Sequence, residues 1–271
     1  MSATGMIEFV ARRQQAVVVA GLVLVCVLAW AFVLAGAGTG MSISAMSTFQ
    51  FPPPMNRPPM AGAWTAGYWL TMLVMWWVMM VAMMLPSAAP MLLLFAAMRR
   101  RASQGAAVPT AWLAAGYLLA WLGFSVAAVA LQYLFEQVGL LHGMMMWSLS
   151  PWLSVAILVA AGLYQLTPLK QACLSHCRSP LAFLMGHWRP GQMGALRMGL
   201  AHGVYCVGCC WFLMALLFVG GIMNVVWIAG LALIVLVEKV GPHGRAVSIA
   251  LGVLCLVGAV WIVLGAVGAG G

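Results

Sequence analysis

The residues best suited to chemistry are five cysteines that occur in two short motifs. Cys173 and Cys177 frame the sequence Cys-Leu-Ser-His-Cys, and Cys206, Cys209 and Cys210 form Cys-Val-Gly-Cys-Cys. Thiolates are soft ligands that suit Cu(I), Zn²⁺ or an iron–sulfur centre, and paired thiols can also exchange disulfides. Anchoring in a bilayer requires none of these groups. The motifs therefore predict soft-metal or thiol–disulfide chemistry.

The second motif has helical spacing. His202, Cys206 and Cys210 are four residues apart, and Cys209 follows Cys206 by three. At 3.6 residues per turn these four side chains lie on one face of a helix. Two glycines four residues apart in the same segment would let a neighbouring helix approach closely. We therefore expect this face to point into a helix bundle.

The first motif carries an imidazole between its thiols. If the segment is helical, Cys173 and Cys177 share a face, and His176 lies beside them. By contrast, Cys26 and Cys255 stand alone in apolar segments and are typical of small buried hydrophobic residues. We predict that the two motifs, together with His176 and His202, contribute metal ligands and that the two isolated cysteines do not.

Methionines concentrate between residues 72 and 91. Met79 and Met83 are four residues apart, as are Met80 and Met84, so each pair lies on one helix face. Thioethers are neutral soft ligands that suit Cu(I). These four methionines are candidate metal ligands. The alternative is that methionine fills irregular gaps between helices.

Two prolines follow these methionines. Pro86 and Pro90 lie near the middle of a long, nearly charge-free segment. A proline removes a backbone donor, and interrupted helices near the membrane midplane commonly form transporter sites. We expect a broken helix here, with a simple packing kink as the alternative.

The composition indicates the elements that must position these residues. The chain has 271 residues, of which 65% are hydrophobic and 6% charged. This composition excludes a soluble core with a polar surface and predicts an all-α, polytopic transmembrane helical bundle. A spanning helix needs about 20 apolar residues. We predict seven spans, at residues 15–35, 77–98, 110–135, 152–168, 198–219, 224–237 and 246–267.

The basic residues predict an orientation. They lie at the ends of the apolar segments, which argues against a nucleic-acid partner although the net charge is +9. With the N-terminus cytoplasmic and the C-terminus outside, only Arg57 falls on the outer side, in agreement with the positive-inside rule. The others are Arg12, Arg13, Arg99, Arg100, Arg101, Lys170, Arg178, Arg189, Arg197, Lys239 and Arg245.

We predict one integral membrane domain over residues 1–271. It has an outer Pro/Met-rich segment at 36–62 and a cytoplasmic, cysteine-containing loop at 169–197. The first apolar run is longer than the h-region of a signal peptide, which favours an anchor. Glu238 and Lys239 close the sixth span, where we expect an interfacial ion pair with a snorkelling lysine. The alternative is that the carboxylate at this helix end steers a cation or relays a proton. The reducing cytoplasm argues against structural disulfides in the loop.

The chain resembles a bacterial family described as predicted metal-binding integral membrane proteins of unknown function. The resemblance covers residues 69–242 and is carried by four motifs: residues 165–180 (QLTPLKQACLSHCRSP), residues 203–211 (GVYCVGCCW), residues 82–86 (AMMLP) and the pair Glu238-Lys239. It implies metal binding in the bacterial inner membrane. Residue by residue, it implies motif roles for Met83, Met84, Pro86, Lys170, Cys173, Cys177, Cys206, Cys209, Cys210 and Glu238.

The function that the sequence favours is handling of Cu(I), as transport, loading or sensing, with Zn²⁺ as the other candidate metal. Soft ligands follow one another along one direction, in the order outer Met/His residues, Met79–Met84, the cysteine face and the cysteine loop. The expected partners are the bilayer and a metallochaperone or a partner membrane protein. Two alternatives stay open, a membrane thiol–disulfide oxidoreductase and a structural subunit of a larger complex. We predict no catalytic residue.

Overall fold

The computed structural model describes residues 3–47, 49, 51–54, 64–101 and 107–268. Several residues discussed above lie outside the described part of the chain: Arg57, most of the proline-rich run, and the side chains of Arg12, Arg13 and Arg101. The described ranges are helical and contain no strand, with a single isolated bridge between Leu141 and Ser148. The predicted all-α class is therefore confirmed. The helices are α1 (Ala3–Leu34), α2 (Ile43–Met46), α3 (Ala66–Arg101), α4 (Ala107–Gln137), α5 (Pro151–Leu166), α6 (Pro168–Arg178), α7 (Pro180–His187), α8 (Gly191–Ala215), α9 (Leu217–Gly220), α10 (Val225–Val240) and α11 (Gly244–Gly268).

Five stretches of helix in the described part of the chain are long and apolar enough to cross a membrane. A sixth candidate is the pair α5 and α6, which meet at a 66° bend. The bend follows from local sequence, because Thr167 caps α6 and Pro168 occupies its first turn. α10 has 16 residues, about 24 Å of helix, which is less than the hydrocarbon thickness. The seven-span count and the orientation stay predictions.

The predicted cytoplasmic loop contains two helices, α6 and α7, rather than an irregular connection. α6 packs against α8, and this contact brings the two cysteine motifs together. Prolines at the first turn of each helix and Ser179 between them set the boundaries.

Glycines set the distance between α4 and α8. A Cβ added at Gly199 would lie 1.9 Å from the Leu113 carbonyl oxygen, and one added at Gly116 would lie 2.0 Å from that of Leu196. Gly203 faces Ala120 in the same seam. The two backbones are therefore in direct contact, as the spacing of the glycines predicts.

The expectation of a broken helix at Pro86 and Pro90 is wrong, because α3 continues through both prolines. Side chains satisfy a backbone carbonyl in this stretch. The Met84 carbonyl accepts a hydrogen bond from the Ser87 hydroxyl (2.8 Å) and another from the Tyr117 hydroxyl (3.1 Å). These donors lie next to the prolines, although the carbonyls that the prolines themselves leave without a helical donor are those of Ala82 and Pro86.

Candidate metal centre

The cysteine face of α8 is buried inside the bundle. Cys206, Cys209 and Cys210 are at most 1% exposed. The thiols of Cys209 and Cys210 donate to the Cys206 carbonyl oxygen, at 3.1 and 2.8 Å. All seven cysteines of the chain are free thiols. The three sulfurs therefore occupy one short stretch of a single helix, next to the helices that pack on it.

α6 adds the other two cysteines to this group. The Cys177 sulfur lies 4.0 Å from the Cys209 sulfur. The Cys173 sulfur lies over Gly208, where an added Cβ would be only 3.1 Å away. The glycine inside the Cys-Val-Gly-Cys-Cys motif thus leaves the space into which the thiol of α6 fits. We call Cys173, Cys177, Cys206, Cys209 and Cys210 the thiol cluster.

α3 contributes one thioether to the thiol cluster. The Met84 sulfur lies 4.0 Å from the Cys210 sulfur. The other three candidate methionines, Met79, Met80 and Met83, are buried on the same helix, at most 1% exposed. They precede Met84 on α3 and belong to the same buried interior of the bundle.

The two candidate histidines differ in position. His176 is half-exposed; its ring stacks on Tyr205 at 4.1 Å, and its Nδ1 hydrogen-bonds to the Ala172 carbonyl. His202 is 4% exposed, and its Nδ1 has no hydrogen-bond partner among the described residues. A buried imidazole nitrogen without a partner is costly and leaves His202 as the better placed of the two to bind a ligand.

Lys239 of α10 reaches the centre of the thiol cluster. Its Nζ lies 2.8 Å from the Cys206 sulfur, 3.7 Å from the Cys210 sulfur and 3.5 Å from the Ser87 hydroxyl. The side chain is 5% exposed. The ammonium group can offset the charge of a thiolate in this low-dielectric interior. The snorkelling expectation for Lys239 is therefore wrong, because the side chain points inward to the thiols.

Glu238 pairs with Lys170 rather than with Lys239. Lys170 also donates to Gln165, and Ser248 donates to Glu238, so four helices meet at one buried network. Both charged residues are fully buried. Lys170 and Lys239 consequently do not act as loop charges, and the orientation argument depends on the remaining basic residues.

Sequence reasoning missed Lys239 and Tyr117 as neighbours of the thiols. The Tyr117 hydroxyl lies 3.0 Å from the Cys206 sulfur. Tyr117 is one of several aromatic residues on α4 and carries no sequence signal. Lys239 belongs to the Glu-Lys motif that the chain shares with the family it resembles, and that motif was the available signal.

The spacing of the sulfurs can be compared with that of a metal site. With a metal–sulfur bond of about 2.3 Å, two sulfurs of a trigonal or tetrahedral centre are about 3.8–4.0 Å apart. The pairs Cys177/Cys209 and Cys210/Met84 both have this separation. Among the described residues, however, no three His, Cys, Asp or Glu side chains already form a complete ligand set. The donors are soft and close together, but they are not arranged around a single point.

Comparison with known proteins gives one family. A family model described as "PpoB2: Copper chaperone" matches residues 73–262, a range that contains the thiol cluster, Met84 and Lys239. No curated protein matches the chain. No solved structure matches it either.

Proposed function

Because the chain belongs to the PpoB2 family of copper chaperones, we propose that it binds Cu(I) in the thiol cluster and delivers it to an acceptor protein. The metal-related part of the family resemblance in the sequence is thereby confirmed. Copper is the cargo of such a protein rather than a resident cofactor. The membrane as the site of this activity, and the bacterial inner membrane in particular, belong to the proposal.

The observation that carries the proposal is the convergence of the two cysteine motifs. Five thiols from α6 and α8 lie together with the Met84 thioether, and three of the thiols are fully buried. Thiolates and thioethers favour Cu(I) over harder cations. Zn²⁺ would accept the thiolates but gains little from the thioether.

Delivery of the ion requires exchange of its ligands, and the thiols of the thiol cluster differ in how exposed they are. Cys206, Cys209 and Cys210 are fully buried, whereas Cys173 and Cys177 on the short helix α6 are partly exposed. A cysteine-bearing acceptor can reach the α6 thiols first and take the ion by successive thiolate exchange. The acceptor of this proposal is a soluble metallochaperone or a partner membrane protein with thiol ligands.

The test is anaerobic purification in detergent, followed by Cu(I) titration against a chromophoric chelator and metal analysis by mass spectrometry. We expect tight binding by the wild type and its loss in a variant with Cys206, Cys209 and Cys210 changed to Ser. The matched control changes Cys26 and Cys255 to Ser, because these thiols lie outside the cluster, and it should bind as the wild type does. A wild type that takes up no Cu(I) but forms a reducible Cys206–Cys209 disulfide would contradict the proposal and favour the oxidoreductase alternative.

A further inference from the structure

A second group of sulfurs lies far from the thiol cluster, at the opposite end of the methionine-rich part of α3. Four methionines, Met41, Met72, Met144 and Met146, line a cavity of about 460 Å³ between the segment that follows α1, the start of α3 and the segment that follows α4. Met72 precedes Met84 by twelve residues, which is about 18 Å along a helix. The cavity is therefore separate from the thiol cluster.

Two of these sulfurs converge on one point. Gln132 of α4 is fully buried, and its Nε2 lies 3.5 Å from the Met72 sulfur and 3.3 Å from the Met146 sulfur. The Trp76 indole donates to Gln132 Oε1 at 2.8 Å, which fixes the amide so that its NH₂ group faces the sulfurs. The partial positive charge of the amide thus occupies the point at which two thioether lone pairs meet.

A carboxyl group completes the surroundings of this point. Glu136, one turn beyond Gln132, accepts from Gln132 Nε2 at 2.8 Å and from the Trp64 indole at 2.9 Å. Glu136 is 5% exposed, and it has no cationic partner among the residues that the structure describes. A buried acidic group with no cation beside it is unusual in the interior of a helix bundle, which makes Glu136 a candidate for binding an ion.

We propose that the protein has a second binding site for a soft monovalent cation, namely Cu(I). Its ligands are Met72, Met146 and Glu136. The NH₂ group of Gln132 holds the place of the cation, and binding of the ion requires this group to rotate away and to give up its hydrogen bond to Glu136. Two neutral thioethers and one carboxylate would balance the single charge of Cu(I). The inference depends on the proposed function for the identity of the cargo.

The interior of α3 connects this site to the thiol cluster. Met72, Met75, Met79 and Met83 follow one another at helical spacing on one face of α3, and all are at most 1% exposed. This row ends one residue before Met84, whose sulfur lies 4.0 Å from the Cys210 sulfur. Thioethers bind Cu(I) more weakly than thiolates, so an ion at the second site can exchange along this face toward the cysteines. The second site is accordingly a capture site, and the thiol cluster is the tighter one.

The experiment uses the full chain in detergent with all cluster thiols replaced, so that only the weak site can bind. Cu(I) retention is measured against a weak chelator, and X-ray absorption reports the sulfur ligands. The background variant changes five residues to Ser: Cys173, Cys177, Cys206, Cys209 and Cys210. We expect about one equivalent of weakly held Cu(I) with thioether coordination. No retained Cu(I) in this variant would overturn the inference.

Two further variants in this background test the named residues. Met72→Leu with Met146→Leu keeps the side-chain volume and should lower the affinity at least tenfold. Met185→Leu with Met193→Leu, which are exposed methionines elsewhere, should leave it unchanged. Gln132→Met places a third thioether at the meeting point and should raise the affinity, which a misfolded protein could not do. Equal affinities in all of these variants would overturn the inference.

The outcome is distinguishable from failure of the proposed function. Tight binding by the wild type that is lost in the five-serine variant supports the thiol cluster whether or not weak binding persists. Weak thioether-bound Cu(I) in a protein whose thiols bind none supports the second site alone.

Discussion

Lys239 places a positive charge against the thiols that would bind the cargo. A Cu(I) ion held by two thiolates carries a net negative charge, which is costly in a buried, low-dielectric site. The ammonium group lies 2.8 Å from the Cys206 sulfur and is placed to offset that charge. The lysine thus belongs to the site although it cannot itself bind the metal while it is protonated.

Replacing this lysine should weaken copper binding. We expect Lys239→Met to lower the Cu(I) affinity of the wild-type chain at least tenfold, which corresponds to about 1.4 kcal/mol. The measurement is competition with a chromophoric chelator. Arg245→Met is the matched control, because it removes the same charge from an exposed position. An affinity that rises or stays equal in Lys239→Met would show that the ammonium competes with the ion or is irrelevant to it.

At the scale of the helix, contacts between backbones determine where the cysteines lie. α8 packs on α4 through glycines so closely that no side chain fits at Gly199. On the other side of α8, Gly208 admits the Cys173 sulfur. Glycines therefore determine how closely α8, which carries three of the thiols, packs against its neighbouring helices.

A methyl group in this seam should destabilise the protein. In Gly199→Ala the new Cβ would lie 1.9 Å from the Leu113 carbonyl, so the helices must separate, at a cost of about 1–3 kcal/mol. Gly123→Ala on α4 is the control, since nothing lies within 4 Å of its added Cβ, and the substitution favours helix by about 1 kcal/mol. Thermal unfolding in detergent should show a lower midpoint for the first variant and an equal or higher one for the second. Equal midpoints would contradict the close packing of α4 and α8.

The periodicity of the sequence was sufficient to place the cysteines of α8 on one face, because that relation lies within a single helix. It was not sufficient for Lys239, whose position depends on how α10 meets α8, nor for α3, which continues as a helix through both prolines. Glu238 illustrates the same limit. Its neighbour in sequence is a lysine, but its partner in the structure is Lys170, 68 residues away.

For the whole molecule, the composition predicted an all-helical bundle, and the structure agrees. The number of spans is harder to predict, because α5 and α6 share one apolar run that bends by 66° and α10 is short. The orientation was inferred from basic residues, two of which are buried in the bundle. Orientation therefore needs a direct measurement.

Labelling from one side of the membrane supplies that measurement. In a background with Cys173 and Cys177 changed to Ser, we expect an impermeant maleimide to modify Met144→Cys in intact spheroplasts. Met185→Cys should react only after permeabilisation. Both positions are more than half exposed, at 53% and 70%, and the background without a new cysteine is the control. The reverse pattern would show that the orientation is opposite to the predicted one. Labelling of both cysteines from outside would show that residues 144 and 185 lie on the same side of the membrane.

Glu238 and Lys239 are consecutive residues of α10, yet their side chains contact different helices of the bundle. Glu238 is tied to Lys170 of α6, and Lys239 is tied to Cys206 of α8. A shift of α10 must therefore disturb both contacts together, because one helix end carries both. Any movement of the ammonium relative to Cys206 would therefore also act on α6, the helix that bears the more exposed thiols.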